Sequence, residues 1–247
     1  MNKYHYDLHI HSCLSPCAGN DMTPGNICGM AALKGLEIIA LTDHNTCGNC
    51  ESFLKNAHDC GLIGICGMEL TTSEEIHMVV LFEYLDKAAG FSDEVAKHRM
   101  KIKNKVEIFG DQLLCDSDDE VCGTDEYFLP AATDLSLDEA YALAQSYGAV
   151  AFPAHIDRTS NGIVGILGTV PEKPDFACIE YNDKASIEKY SAEIPGIAKK
   201  KLLVNSDAHH LWDINEAENY IELCDEPYSS ALVRKRLFEY LRAAKEK

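Results

Sequence analysis

Short apolar runs that each stop at a residue able to bind a metal constrain this chain more than any other feature. The first is Tyr6-Asp-Leu-His-Ile-His-Ser12, where Leu8 and Ile10 alternate with His9 and His11. Alternate side chains of an extended strand share a face, so both imidazoles project to one side and can hold one cation in common. Imidazole is the commonest neutral metal ligand. The pattern recurs after later apolar runs, at Thr42-Asp43-His44, Gly67-Met68-Glu69, Glu75-Ile76-His77, Pro153-Ala154-His155 and Ser206-Asp207-Ala208-His209. A lone His-x-His is more often one packed and one solvated histidine. Its repetition at strand ends is what favours a shared metal site.

Strands are expected over 3–8, 37–42, 62–69, 76–82, 149–153, 176–180 and 202–205, and helices between most of them. Thr23-Pro24 caps and opens a helix that Gly35 ends, and Asn45-Thr46 opens another running to about Cys60-Gly61. Ser136 caps a helix that ends at Gly148, residues 186–197 form one more, and Pro227 precedes a last helix from Ser230 to about Lys245. The nearly all-apolar run 37–42 has the composition of a parallel strand covered on both faces. Such alternation allows a closed barrel or an open doubly wound sheet. Ligand-type residues at so many carboxyl ends favour the barrel, where those ends converge on one mouth.

No composition break marks a boundary, so 1–247 reads as one domain with an insertion at about 92–135. Within it Ser92 is expected to cap a helix to about Phe109 that carries Lys97, Arg99, Lys101, Lys103 and Lys105. The acid-rich stretch 111–126 reads either as a solvated loop or as a lid over the site.

The net charge of −18 argues against passive binding to nucleic-acid backbones or anionic lipid. It leaves a phosphorylated substrate open, because bound cations can reverse the local field. The expected partner is therefore a small phosphorylated molecule, with no long nucleic acid and no membrane. No apolar run approaches the roughly 18 residues of a membrane span, and the N-terminus lacks a secretory apolar core, which points to the cytoplasm. There the 11 cysteines are expected to be reduced. Cys47-Gly-Asn-Cys50 has redox or zinc-knuckle spacing but lacks a second such pair, so buried thiols are expected over thiol chemistry.

Taken in order, His-x-His, Thr-Asp-His-Asn, Gly-Met-Glu, the later histidines and Asp-Ala-His resemble the polymerase-and-histidinol-phosphatase (PHP) family over nearly the whole chain, from Asp7 to His209. The resemblance implies an α/β fold, a distorted (β/α)7 barrel. It also implies two or three divalent metal ions (zinc, manganese or iron) and phosphoester hydrolysis through a metal-bridging hydroxide. Carried over by position, His9, His11, Glu69 and Asp207 would bind a first metal. Glu69 would bridge to a second, completed by His77 and His155, and His44 and His209 would bind a third. The remaining third-metal position holds Cys17 here, with Asp21 a nearby substitute. Asp207, His209 and Arg158 are the candidate catalytic groups.

The residues support this chemistry without the name, since mixed imidazole and carboxylate ligands suit zinc, manganese or iron. Arg158 can pair with a substrate phosphate as a bidentate fork, or with Asp157 or a neighbour as a surface salt bridge. Asp7 and Asp43 either orient ligands or cap loops. The leading expectation is a phosphoesterase acting on a small phosphorylated metabolite, a phosphomonoester or nucleotide. The alternatives are a nuclease or oligonucleotide phosphatase on the same fold, and a non-catalytic metal-binding sensor.

Overall fold

The computed structural model describes residues 1–194, 196–226 and 228–243. In chain order the elements are β1 (Asn2–Ile10), α1 (Pro24–Leu33), β2 (Ile38–Leu41), α2 (Cys50–Asp59), β3 (Ile63–Thr71) and β4 (His77–Phe82). The middle of the chain holds α3 (Leu85–His98), α4 (Val106–Phe109), β5 (Leu113–Cys115), β6 (Val121–Thr124), α5 (Leu137–Ser146) and β7 (Val150–Pro153). The last third holds α6 (Ile163–Leu167), β8 (Cys178–Tyr181), α7 (Ser186–Glu193), β9 (Lys201–Val204), β10 (Tyr220–Leu223) and α8 (Ser230–Arg242).

Six strands pair in the order β10-β1-β2-β3-β4-β7, and β8 and β9 form a separate parallel pair. The two sheets meet just past the ends of β7 and β1. Ile156 N donates to Glu180 O at 2.9 Å beyond β7, and His11 N donates to Ala208 O at 3.0 Å beyond β1. The result is the expected α/β fold, a sheet curled into a distorted barrel.

Two apolar clusters explain the curl. One takes Tyr4, Tyr6 and Leu8 of β1, alternate residues of β2, β3, β4 and β7, and Val233, Leu237 and Phe238 of α8. The other packs the opposite strand faces against α1, α2, α3 and α5. Leu8 lies in the first cluster but Ile10 in the second, and the register of β1 against β2 shifts between Asp7 and Ile10. A bulge of this kind changes which residues face which side. It hands the inner face over from Leu8 to the two histidines.

Local signals account for several helix ends. Thr23 Oγ1 accepts from Asn26 N at 3.3 Å, with Pro24 opening α1. Ser136 and Glu139 form a reciprocal capping box at α5. α2 begins at Cys50 instead of Asn45, because 45–49 are held in a loop with its side chains bonded to site segments.

The remaining differences have physical causes. β4 runs antiparallel to both β3 and β7, so the strands are not uniformly parallel. His77 therefore sits at the amino end of its strand, opposite Thr71, and still reaches the common mouth. β10 pairs antiparallel with β1, its Ile221 and Leu223 buried and Tyr220 and Glu222 outward, a short period-two signal.

Ser92 does not cap a helix: it lies inside α3, which starts at Leu85 so that Ala88, Phe91 and Val95 form one buried stripe. Fully burying a side chain such as Phe91 is worth about 1.5–3 kcal/mol. The helix stops at His98, and the lysines at 101, 103 and 105 have a period of two, suited to the extended path that pairs Arg99 with Thr133 and Lys103 with Tyr127. The acidic stretch contains the β5–β6 hairpin, and Asp119 accepts from Thr23 Oγ1 and Gly25 N at the start of α1. Such a carboxylate complements the positive end of the helix. The expected helix end near Lys245, and Pro227 before α8, lie outside the described residues.

Candidate metal centre

His9 and His11 are fully buried, and each has one ring nitrogen committed to a fixed acceptor. His9 Nδ1 donates to Glu180, with oxygens at 2.9 and 3.1 Å. His11 Nδ1 lies 3.0 Å from Ser15 Oγ, whose own proton goes to Asp43 Oδ1 at 2.7 Å. Ser15 Oγ therefore accepts from His11. In the neutral, metal-binding form of the rings both Nε2 atoms are left as lone pairs, and they face each other at 3.1 Å.

Asp207 Oδ1 lies 3.3 Å from His9 Nε2 and 3.1 Å from His11 Nε2, and Glu69 oxygens lie 3.4 and 3.3 Å from the same two atoms. Glu69 is a hub. His77 Nδ1 is 2.7 Å and His155 Nε2 3.0 Å from its Oε1, and His44 Nδ1 is 3.0 Å from its Oε2. Three overlapping sets of donor atoms converge: His9, His11, Glu69 and Asp207; His44, Glu69 and His77; and His11, His44 and His209.

Lone pairs packed this closely repel unless a cation sits among them. Glu69 Oε2, Asp207 Oδ1 and His44 Nδ1 are buried and make no hydrogen bond, whereas His155, which meets Glu69 through Nε2, lies outside the three donor sets. Buried polar atoms are rarely left so, and a cluster of them marks a missing partner. The donor set of imidazoles and carboxylates fits zinc, manganese or iron.

The electrostatics agree. Burial disfavours charge on His11, but its contacts with Asp207 and Glu69 outweigh that and push its pKa up to about 9. At His44 burial again opposes, and the Glu69 charge prevails, again to about 9. Burial would raise Glu69 and Asp207, yet the surrounding histidines hold both carboxyls well below the usual carboxylate range. His209 goes the other way, down to about 3, through burial and the nearby His11. The backbone is strained at two of these positions, with φ of +25° at His155 and +53° at Asp207. Strain in residues of this kind concentrates at functional sites.

The other predicted residues separate. Arg158 Nη1 pairs with Asp207 Oδ2 at 2.7 Å while its side chain stays 46% exposed. Asp157 is not its partner; that carboxylate accepts from the backbone of Asn182 and Asp183. Cys17 is exposed and contacts His44, but it lies outside the three donor sets found among the described residues. Asp21 is exposed and also outside them. Asp43 both holds the loop, through Ser12, and orients His11 through Ser15. Asp7 accepts from the backbone of Ser206 and Asn215 and so ties the Asp207 loop to β1. All 11 cysteines are free thiols, and Cys47 and Cys50 are buried against the Gly67 carbonyl.

Sequence reasoning missed Glu180. It is fully buried on β8 and also accepts from His155 N at 2.9 Å and Asn205 Nδ2 at 2.7 Å. A lone acid within the apolar strand Cys178-Ile-Glu-Tyr was the available signal. Ser15, between His11 and Asp43, gave none.

The PHP domain model matches residues 7–194, which is most of the chain. The chain belongs to the PHP domain family. Its enzyme class follows: it is a metal-dependent hydrolase with the phosphoesterase fold of that family. Among curated PHP-related proteins, an error-prone DNA polymerase of Symbiobacterium thermophilum is 35% identical over 74 residues, covering 30% of this chain and only 7% of the polymerase.

Solved structures extend the likeness in fold. The lesion-specific endonuclease Q of Pyrococcus furiosus matches at a TM-score of 0.65 and 16% identity, over 98% of this chain and 56% of the endonuclease. An amidohydrolase of Chromobacterium violaceum with bound sulfate matches at 0.60 and 17% identity, over 89% and 92% of the two chains. Endonuclease Q is also known in complex with a 27-mer duplex substrate with an abasic lesion at its active site. That complex, with a TM-score of 0.59 and 17% identity over 99% of this PHP chain and 58% of the endonuclease, overturns the expectation against long nucleic acid. Net charge governs the distant field, whereas cations in a cleft govern the local one, so the acidity of the chain was no ground for that exclusion. No helix of the described residues is long and apolar enough to cross a membrane.

Proposed function

We propose that this PHP chain hydrolyses a phosphoester of a small phosphorylated metabolite, a phosphomonoester or nucleotide, with two or three zinc, manganese or iron ions. The observation that carries this is the convergence of buried, unbonded carboxylate and imidazole atoms around Glu69. In this reading His9, His11, Glu69 and Asp207 hold one ion, Glu69, His77 and His155 a second, and His44 and His209 a third, with Cys17 or Asp21 as the remaining ligand. When bound, such ions supply an activated water and neutralise charge on the phosphoryl oxygens.

The protein groups do the rest. Glu180 and Ser15 fix the tautomers of His9 and His11 so that both Nε2 lone pairs face inward. Arg158, half exposed on Asp207, is placed to exchange that partner for a substrate phosphate. Asp207 and His209 flank the same space and complete the catalytic set. One barrel domain carries the site, and the 92–135 insertion covers its edge.

The test joins metal content to turnover of p-nitrophenyl phosphate. At least two bound ions with turnover are expected, and His9→Ala should cost orders of magnitude. Full wild-type turnover after complete chelation refutes the reading, and metal binding without turnover of any phosphoester supports a sensor instead. A second reading, a nuclease, is favoured by the likeness in fold to endonuclease Q. A panel of a mononucleotide, a short oligonucleotide and a duplex with an abasic lesion separates the two.

A further inference from the structure

The insertion brings two aromatic rings to the metal centre that the phosphoester chemistry does not use. Phe109, at the end of α4, and Phe128 lie with ring centroids 4.3 Å apart and planes at 36°. Both line a cavity of about 290 Å³ whose wall also includes Cys17, His44 and His77. Phe109 is 41% exposed, although a phenylalanine serving only to pack the insertion would be expected to bury its ring.

The rings stand on fixed supports. Gly110 follows Phe109 with a φ of +97°, and a Cβ there would meet Pro16 O at 2.3 Å. Only glycine allows that approach, which seats Phe109 against the loop that leads from His11 to Cys17. On the other side Asn45, next to His44, donates to Leu129 O at 2.8 Å and Ala131 O at 2.9 Å. The backbone that follows Phe128 is thus tied to the histidine loop. An aromatic pair with Phe109 half exposed and Phe128 partly buried, held beside the site that takes the phosphate, has the geometry of a stacking surface.

We propose that Phe109 and Phe128 form a wall on which the nucleobase of a nucleotide substrate stacks while its phosphate occupies the metal centre. This rests on the phosphoesterase reading and narrows its substrate class. It also answers a difficulty of charge: at −18 the chain's overall field repels an anionic substrate, and stacking adds affinity that is independent of charge. Stacking is tolerant of base identity, because every base presents a π-face.

The test compares wild type with the double variant Phe109→Leu/Phe128→Leu, which keeps apolar bulk and removes the π-faces. The probes are adenosine 5′-monophosphate and glycerol 2-phosphate, on manganese-loaded protein. The ratio of their kcat/KM values should fall by about 5- to 150-fold in the variant, the equivalent of about 1–3 kcal/mol per stacked base. Calorimetric binding of the nucleotide should weaken by the same factor. Restoring rings with Phe109→Tyr/Phe128→Tyr should recover the ratio. An unchanged ratio, or parallel loss on both probes, overturns the proposal. If the wild type turns over neither probe, calorimetry still decides: nucleotide binding unaffected by the leucines overturns the wall, and a selective loss supports it.

Discussion

Replacing Glu180 by glutamine probes the centre without altering a proposed ligand. The carboxylate receives four contacts: Oε1 takes His9 Nδ1 at 2.9 Å and His155 N at 2.9 Å, and Oε2 takes Asn205 Nδ2 at 2.7 Å with His9 Nδ1 at 3.1 Å. A glutamine carbonyl can keep the first pair, but its amide then points at the Asn205 amide, donor against donor. Asn205 cannot turn over freely, because its Oδ1 accepts from Leu8 N at 2.9 Å. One buried donor is left unbonded in either orientation, at a cost of about 1–3 kcal/mol in stability. Loss of the charge that orients His9 should also weaken metal binding about 10- to 100-fold, or about 1.4–2.7 kcal/mol. Thermal unfolding of the metal-free protein measures the first effect, and titration against a competing chelator measures the second. A variant with wild-type stability and metal affinity would refute the hydrogen-bond argument. Lost stability with wild-type affinity would confine Glu180 to the fold.

Three further outcomes are expected. His11 and His44 are raised from 6.5 to about 9 in the metal-free site, so their protonation stabilises the fold fully below about pH 6.5, and that contribution is lost as pH rises through 9. Metal must displace those protons, so affinity should climb between pH 6.5 and 9 with proton release, and calorimetry in buffers of different ionisation enthalpy that finds no release at pH 7.5 contradicts this. Arg158→Lys keeps the charge but loses the planar fork, so KM should rise; an unchanged KM even in Arg158→Ala assigns the residue to its pairing with Asp207 alone. Cys17→Asp should raise manganese occupancy and manganese-supported turnover together, and a fully occupied third ion with the wild-type sulfur well beyond the roughly 2.3 Å of a zinc–thiolate bond rules out thiolate ligation.

The sequence by itself determined the strand runs and the chemistry at their ends. Period-two and all-apolar patterns are local properties, so His9, His11, Glu69 and Asp207 were legible as ligand-type residues at strand ends, and the resemblance to the PHP family is what grouped them. Thr23 and Ser136 marked helix starts for the same reason, since a cap bonds within its own turn. Where the sequence misled, a distant contact decided. The apolar stripe of α3 placed Ser92 inside a helix instead of at its start, because Phe91 and Val95 had a core to fill. The antiparallel course of β4 moved His77 to the amino end of its strand yet kept it at the mouth, which depends on how the strand pairs with β3 and β7. Glu180 and Ser15 carried no recognisable motif, for their roles exist only once β8 and the Ser12–Ser15 turn meet His9 and His11. Ligand type is written in single residues. Which lone pair each histidine turns inward, and what closes over the site, is set by pairings across as many as 171 positions of chain, and only the tertiary structure makes those.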